Sequence, residues 1–367
     1  MYDVLRPYVG DNIGLTNNVE KWKRYRKICN PAFQLTTVTS FLPIFEKYSE
    51  AFLQEIMNEH ENPIDIQRRV PLYTLDIIFE SLCKQQQDFY KNKNSAFVEA
   101  YDSFFSIIFT KNYKAMNKAL NIIKQYTYTL IQSEGARRGN ETMDNTRYLI
   151  DILFANNVGE ESLNDNINGF ITAGHDTVAQ AICFTMYELS KHPKVQQRLC
   201  EEIISVVGKD SDTAVTHGHL QAMTYLEAVI REGMRLHTIV PAIERTSSSD
   251  IEFNGVHYPK GTRIMFNIAA IHNSEKYFPN PQTFDPDRFM PDSGYHNQKD
   301  ALVSFSLGPR DCIGKFFAML EMKYIIAKCV QKFELIPVKD HSLQLINEII
   351  TRSINGIPVI FKERVHT

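Results

Sequence analysis

The run SFSLGPRDCIGKFFAMLEMKY, residues 304–324, decides how the chain is read. It sets Cys312 between Gly308 and Gly314, beside Arg310 and just ahead of an apolar stretch of helical spacing. A thiol of ordinary pKa, about 8.5, is mostly protonated at neutral pH, whereas a nucleophilic or metal-bound cysteine acts as the thiolate. The N–H groups that open a helix at 315 bring positive partial charge to the sulfur and favour that form. Gly308 and Gly314 carry no Cβ and let the backbone approach something broad and flat. Arg310 offers a planar fork for a carboxylate. Three readings stay open on these residues alone: a metal-bound thiolate, a nucleophile whose histidine partner is not identifiable, and a small packed side chain, the commonest use of cysteine.

Working outward, 367 residues of which 43% are hydrophobic can bury one large core or two smaller ones. A net charge of −3 gives no sign of a nucleic-acid binder. The six cysteines (Cys29, Cys83, Cys183, Cys200, Cys312, Cys329) form no C-x-x-C pair, which speaks against structural zinc and a secreted disulfide framework and for reduced thiols on the cytosolic side. The opening MYDVLRPYVGDNIGL lacks a signal-peptide pattern and no apolar run is long enough to span a bilayer, so the chain as given is expected to be soluble or peripherally bound.

Most of residues 20–240 reads as helix. Phe45, Ser49, Phe52, Leu53 and Ile56 recur at helical spacing in 41–60, and 70–83, 113–133 and 145–156 behave alike. GARRGNETMDN, 135–145, reads as a polar loop. The longest helix is expected over 160–191, ending at His192-Pro193, with Gly174, His175, Asp176 and Thr177 interrupting its apolar stripe. Helices over 194–207 and 219–237 follow, and His217-Gly-His219 reads as a loop and helix start rather than a metal pair. Residues 251–272 then alternate around Asn254-Gly255, a strong hairpin signal. A proline-rich coil fills 278–291, helix resumes over 315–332, and FELIPV and NGIPVIFKE read as strands. The expected architecture is one domain over 1–367, mainly α with a smaller β part: a helical body over 20–240 and 315–332, and β-rich segments over 243–272 and 333–363.

Phe305-x-x-Gly308-x-Arg310-x-Cys312-x-Gly314 matches, at every defined position, the haem-thiolate signature of the cytochrome P-450 superfamily. The chain resembles that family from about Tyr2 to Glu363. The resemblance implies haem b, bound non-covalently apart from a Cys312 thiolate–iron bond, with Phe305, Gly308, Arg310 and Gly314 around it. Trp22 and Arg26, one helical turn apart in VEKWKRYRKICNPAF, resemble the family's W-x-x-x-R pair. Indole N–H and guanidinium can both reach a haem propionate, and Arg245 in PAIERT and Arg310 resemble the other propionate arginines. Lys21, Lys23, Arg24 and Lys27 form either a solvated basic face or a docking patch for an acidic electron donor.

Glu232 and Arg235, i and i+3 in VIREGMRLH, would by pattern be a surface pair of little worth. By resemblance they form a buried E-x-x-R pair, joined by Arg288 of DPDRF, that holds the coil bearing the cysteine. That role is structural, and breaking such a pair costs about 3–5 kcal/mol. Ala173 to Thr177, AGHDT, resembles the oxygen-activation motif of the central helix. Glycine in a helix interior costs about 1 kcal/mol, so Gly174 suggests a needed gap, with room for O₂ and substrate. Asp176 and Thr177 would relay protons. The plainer reading of Asp176 is an exposed helix carboxylate. His175 is given no ligand role.

GHDT, NPAF and DPDRF are most similar to the family 4 clan of fatty-acid hydroxylases and its insect relatives. Ala173 stands where many of them carry a glutamate esterified to a haem methyl, so no such link is expected. Relatives have a membrane anchor, early helices and the first sheet strands before the point where Met1 falls, and the stretch after Glu80 looks shorter than theirs. The fold is therefore expected to lack those elements, leaving strands at 243–246 and 262–270 without sheet partners, an aggregation liability. The resemblance implies a monooxygenase that inserts one atom of O₂ into an apolar substrate such as a fatty acid, steroid, pheromone or xenobiotic. Electrons would come from NADPH through NADPH–cytochrome P-450 reductase, with cytochrome b5 a second candidate donor, at the cytosolic face of the endoplasmic reticulum membrane. Residues around Ile239 to Ile243 and near Ile354 are expected in the pocket. Two other readings are a truncated, non-catalytic product with or without haem, and a haem-based gas sensor, against which AGHDT counts.

Overall fold

A computed structural model describes residues 5–93, 95–107, 112–138, 148–293 and 300–365. The chain forms two compact units, Met1–Ile44 with Pro71–Asp176, and Phe45–Val70 with Thr177–Thr367. Most described residues are helical and the strands are short.

The first unit is helical. It contains α1 (Arg6–Val9), α2 (Val19–Cys29) and α3 (Leu35–Thr39), and α4 (Leu42–Glu59) starts in it. Further along come α5 (Val70–Cys83), α6 (Ala96–Ile107), α7 (Tyr113–Arg138), α8 (Leu149–Ala155) and the first half of α9 (Glu160–Lys191). Asn18 starts α2 by accepting from the Lys21 N–H at 2.9 Å, one of the donors a helix N-terminus leaves unpaired. Phe97 of α6 packs on Tyr126 of α7 at 4.4 Å between ring centroids, and on Phe79 and Phe89 at 5.6 and 5.2 Å. The segment after α1 is tied to α9: the Asp11 and Ile13 N–H groups donate to Asp165 and Asn166, each at 3.0 Å. Gly169 makes that approach possible, since a Cβ there would lie 2.7 Å from Asn12 Nδ2.

The second unit continues α4 and α9 and adds α10 (Pro193–Val207), α11 (His217–Ala222), α12 (Thr224–Leu236), α13 (Ile268–His272) and α14 (Lys315–Lys332). Its strands are β1 (Pro63–Asp65), β2 (Ala242–Thr246), β3 (Ile251–Phe253), β4 (Val256–Tyr258), β5 (Arg263–Asn267), β6 (Phe333–Pro337), β7 (Leu345–Asn347), β8 (Thr351–Ser353) and β9 (Pro358–Glu363). An antiparallel sheet runs β1-β9-β6, and β2-β5, β3-β4 and β7-β8 are two-stranded. Asn254 and Gly255 turn the β3-β4 hairpin with φ of 50° and 74°, the double left-handed turn that suits strand twist. Buried Gln196 stitches α10 to β6: its Nε2 donates to Leu189 and Leu335 carbonyls at 3.0 and 2.9 Å, and its Oε1 accepts from Leu335 N–H at 2.8 Å.

The mainly helical fold with a smaller β part is therefore present. The stripe of 41–60 lies inward, with Phe45, Ser49, Phe52, Leu53 and Ile56 all buried. Three boundaries differ. Helix α7 continues to Arg138 through the start of the expected loop, and residues 139–145 of that loop lie outside the described residues, as do 145–147 of the helix expected over 145–156. The helix expected over 219–237 is two, broken at Met223, where ψ is 82°. Thr216 caps the first of them by accepting from the His219 N–H at 3.2 Å, so His217 and His219 open a helix. Strands β2 and β5 do have partners, contrary to expectation: they pair with each other from Ala242↔Asn267 to Thr246↔Arg263, and Ile268 onward is helical. Each thereby satisfies one edge of the other's backbone. Among the described residues no helix is long and apolar enough to cross a membrane.

Candidate functional site

In the second unit, the loop from Phe305 to Gly314 folds on itself. The Cys312 N–H donates to the Phe305 carbonyl at 2.8 Å and the Asp311 N–H to that of Gly308 at 3.0 Å. Gly308 has φ 79° and a Cβ there would meet nothing within 4 Å, so backbone conformation, not crowding, calls for glycine. Gly314 hands the chain to α14 with no side-chain cap. Cys312 is exposed, whereas the other five cysteines are buried. Burial pushes the Cys29 thiol up to about 12 and also raises Cys83, Cys200 and Cys329, which keeps all four protonated. Leu307 and Phe316 stand exposed beside Cys312 in sequence.

Arg245 of β2 donates through Nη2 to Ser306 Oγ at 3.1 Å, which fixes it to the cysteine loop. Arg310 is half-buried, and its pKa is lowered, first by burial and then by the Arg245 charge. Two like charges held this close favour an anion beside them. An exposed cysteine, exposed apolar side chains and neighbouring guanidiniums fit a flat apolar group that carries carboxylates and a metal.

Behind the loop, Glu232 and Arg235 of α12 are completely buried and Arg288 nearly so. Arg235 Nε and Nη2 donate to Glu232 at 2.7 and 2.8 Å, while Nη1 and Nη2 also donate to the His272 and Thr283 carbonyls at 2.9 and 3.2 Å. The Asp285 N–H and Arg288 Nε donate to Glu232 Oε1 at 2.8 and 3.3 Å. The cluster thus clamps the 273–288 coil. His272 is a member that sequence reasoning missed, because the segment holding it read as strand. Its Nε2 accepts from the Val303 N–H at 2.9 Å and its Nδ1–H donates to Thr238 Oγ1 at 2.9 Å, while Thr238 Oγ1 donates to the Arg235 carbonyl at 3.1 Å. Burial, reinforced by the Arg235 charge, pushes His272 down to about 3, so it is neutral. His272 therefore links the arginine clamp to the start of the cysteine loop. The expected pocket residues partly converge too: the Thr351 N–H donates to the Ile239 carbonyl at 2.8 Å, while Ile354 is exposed.

In the first unit, α2 presents Trp22 and Arg26 to an open cleft of about 460 Å³ that also includes Lys27, Asn30 and Gln34. Lys21 is turned to Asp11 at 2.7 Å and Lys23 to Glu20 at 2.9 Å, so the basic face is partly neutralised.

Along α9, from Phe170 to Ser190, only residues 172–174 and 177 keep appreciable exposure, Ala173 most of all. Asp176 is buried, so its reading as an exposed helix carboxylate does not hold. His175 is buried edge-on to Tyr101 at 4.6 Å, with Nδ1 3.1 Å from the Ile171 carbonyl. At Gly174 an added Cβ would lie 2.6 Å from Ile78 Cδ1, so the missing side chain admits α5.

The family model for cytochrome P450 matches residues 2–360. Cytochrome P450 4d2 of Drosophila melanogaster is 31% identical, over 99% of this chain and 80% of its own length. Cytochrome P450 4A2 of Rattus norvegicus is also 31% identical (99% and 77%), and cytochrome P450 4V2 of Pongo abelii is 30% identical (99% and 76%). The chain belongs to the cytochrome P450 family, and is a monooxygenase of haem b bound through a cysteine thiolate.

Proposed function

From that membership we propose that Cys312 is the thiolate ligand and that Trp22, Arg26, Arg245 and Arg310 bind the haem propionates. Phe305, Gly308 and Gly314 shape the backbone beside the haem, Glu232, Arg235 and Arg288 hold the loop, and residues 1–367 act as one haem-binding domain. The observation that carries this reading is that Cys312, alone of the six cysteines, is exposed, in the loop that matches the family motif. When bound, the haem supplies the oxygen chemistry. The chain supplies the rest. Thr177 Oγ1 passes a proton inward and takes another from the path behind it, in which the Asp176 carboxyl accepts a proton from outside and hands it on. Gly174 lets α9 approach α5 closely at the motif, beside the open position Ala173. Ile239 to Ile243 and the segment near Ile354 exclude water and orient a C–H bond of an apolar fatty acid, steroid, pheromone or xenobiotic. Electrons come from NADPH through NADPH–cytochrome P-450 reductase, with cytochrome b5 a second donor, docking on the basic face of α2. The expected location is the cytosolic face of the endoplasmic reticulum membrane.

A second reading, a product that does not retain haem, is favoured by one observation: β2 and β5 stand as a two-stranded ribbon among the described residues, and isolated ribbons are marginal. Haem reconstitution, reduction and carbon monoxide decide between them. The red-shifted Soret band of a thiolate-ligated ferrous–CO haem is expected, lost in Cys312→Ala with the protein still folded. A wild-type spectrum lacking that band, or no retained haem, establishes the second reading.

A further inference from the structure

Gln180 lies on α9 three residues beyond Thr177 and is 1% exposed, yet neither its amide nitrogen nor its amide oxygen has a hydrogen-bond partner among the described residues. Its neighbours along the helix, Val178, Ala179, Ala181 and Ile182, are apolar and equally buried. Leaving a buried amide unpaired is costly, and a leucine would occupy similar space without that cost. The second unit is able to satisfy a buried glutamine: Gln196, 2% exposed, uses both ends of its amide on Leu189 and Leu335. At position 180 no group among the described residues meets the amide.

Helix geometry says where that amide starts. At roughly 100° per residue, Gln180 projects within about 20° of Ala173 and about 60° of Thr177, one turn further along the axis. Ala173 and Thr177 belong to the short open strip of an otherwise buried helix. The side chain therefore leaves α9 at the border of that strip, with both N–H donors and its carbonyl oxygen to spare.

We propose that the Gln180 amide holds ordered water at the open strip of α9, and that this water feeds the proton path ending at Thr177 Oγ1. Gln180 is then a positioning residue for the monooxygenase reaction. The inference rests on the relay reading of Thr177 given above. Nε2–H donates to one water oxygen and Oε1 accepts from a second water, giving each water one of the roughly three hydrogen bonds that a buried water makes. An amide has no proton to lose or gain near neutral pH, so it orients the water without competing for its proton. For each proton that the water passes to Thr177 Oγ1 it takes one from the water behind it, and the amide stays unchanged.

The test uses the haem-loaded protein with Gln180→Leu, Gln180→Met and Thr177→Ala. Two quantities are read: the melting temperature, and the fraction of NADPH electrons released as hydrogen peroxide when protons arrive late. Both Gln180 variants are expected to melt no higher than wild type, because water already satisfies the amide, to keep the ferrous–CO spectrum, and to release several-fold more peroxide with a changed solvent isotope effect. If both melt well above wild type, the amide is unpaired rather than hydrated and the inference is overturned whatever the peroxide yield. If they melt no higher but release no more peroxide, the amide holds no water of the path, which also overturns it. Thr177→Ala separates the two levels. Should it release no extra peroxide, the relay reading fails and takes the inference with it; should it leak while the Gln180 variants do not, the Gln180 assignment alone falls.

Discussion

Glu232 and Glu321 lie in the same unit, on α12 and α14, and are shut away from water at 0% and 1% exposure. Their surroundings are opposite. Glu232 receives donors from Arg235, Arg288 and the Asp285 N–H. Burial raises its pKa while those three neighbours pull it down. Neither oxygen of Glu321 has a hydrogen-bond partner among the described residues, and burial holds its pKa well above the ordinary value. A buried carboxyl can thus be a charged hub or a neutral passenger, and the neighbours decide which. The hub joins α12 to the coil that leads toward Cys312. The passenger joins nothing.

The largest effect expected from this contrast is at the hub. Glu232→Ala leaves two buried guanidiniums uncompensated and should cost about 3–5 kcal/mol in denaturant unfolding, with much of the protein insoluble. A loss below about 1 kcal/mol would mean that the cluster is no clamp. At the passenger the sign reverses: Glu321→Leu should gain about 1–3 kcal/mol at neutral pH, because it deletes unpaired buried groups. Its pH dependence sharpens the point. The unfolded carboxyl ionises near the ordinary 4.5 while the folded one stays protonated, so wild-type stability falls as pH rises above that value. Glu321→Gln should remove this slope, and an unaltered slope would show that Glu321 finds a counter-charge. Close to neutral pH the smallest effect belongs to His272, whose folded pKa is about 3 against an ordinary 6.5. The unfolded imidazole takes up a proton first, so stability is lost as pH falls from 6.5 toward 3, by at most about 1.4 kcal/mol per pH unit. Urea titrations at several pH values should show a shallower decline for His272→Gln. Equal declines would place the acid sensitivity elsewhere.

These three residues were not equally legible. Glu232 was legible through the family resemblance of its E-x-x-R and DPDRF motifs, since the i, i+3 spacing with Arg235 alone suggests only a surface pair. Glu321 sits in the 304–324 run itself and gave no signal, since a glutamate in an apolar helix looks the same whether it meets an arginine or nothing. His272 was hidden because its partners, Val303 and Thr238, are 31 and 34 residues away.

The sequence by itself determined what depends on near neighbours. The spacing of the cysteine motif, the stretch of α9 up to His192-Pro193, the Asn254-Gly255 hairpin and the helix over 315–332 follow from backbone conformations that a few adjacent residues select. Tertiary structure decided the remainder: that Asp176 is buried, that Ile78 takes the space at Gly174, that β2 and β5 pair with each other, and that Gln180 keeps an unpaired amide. Burial and pairing are properties of segments brought together from far along the chain, and no local pattern encodes which groups will meet once water has been excluded.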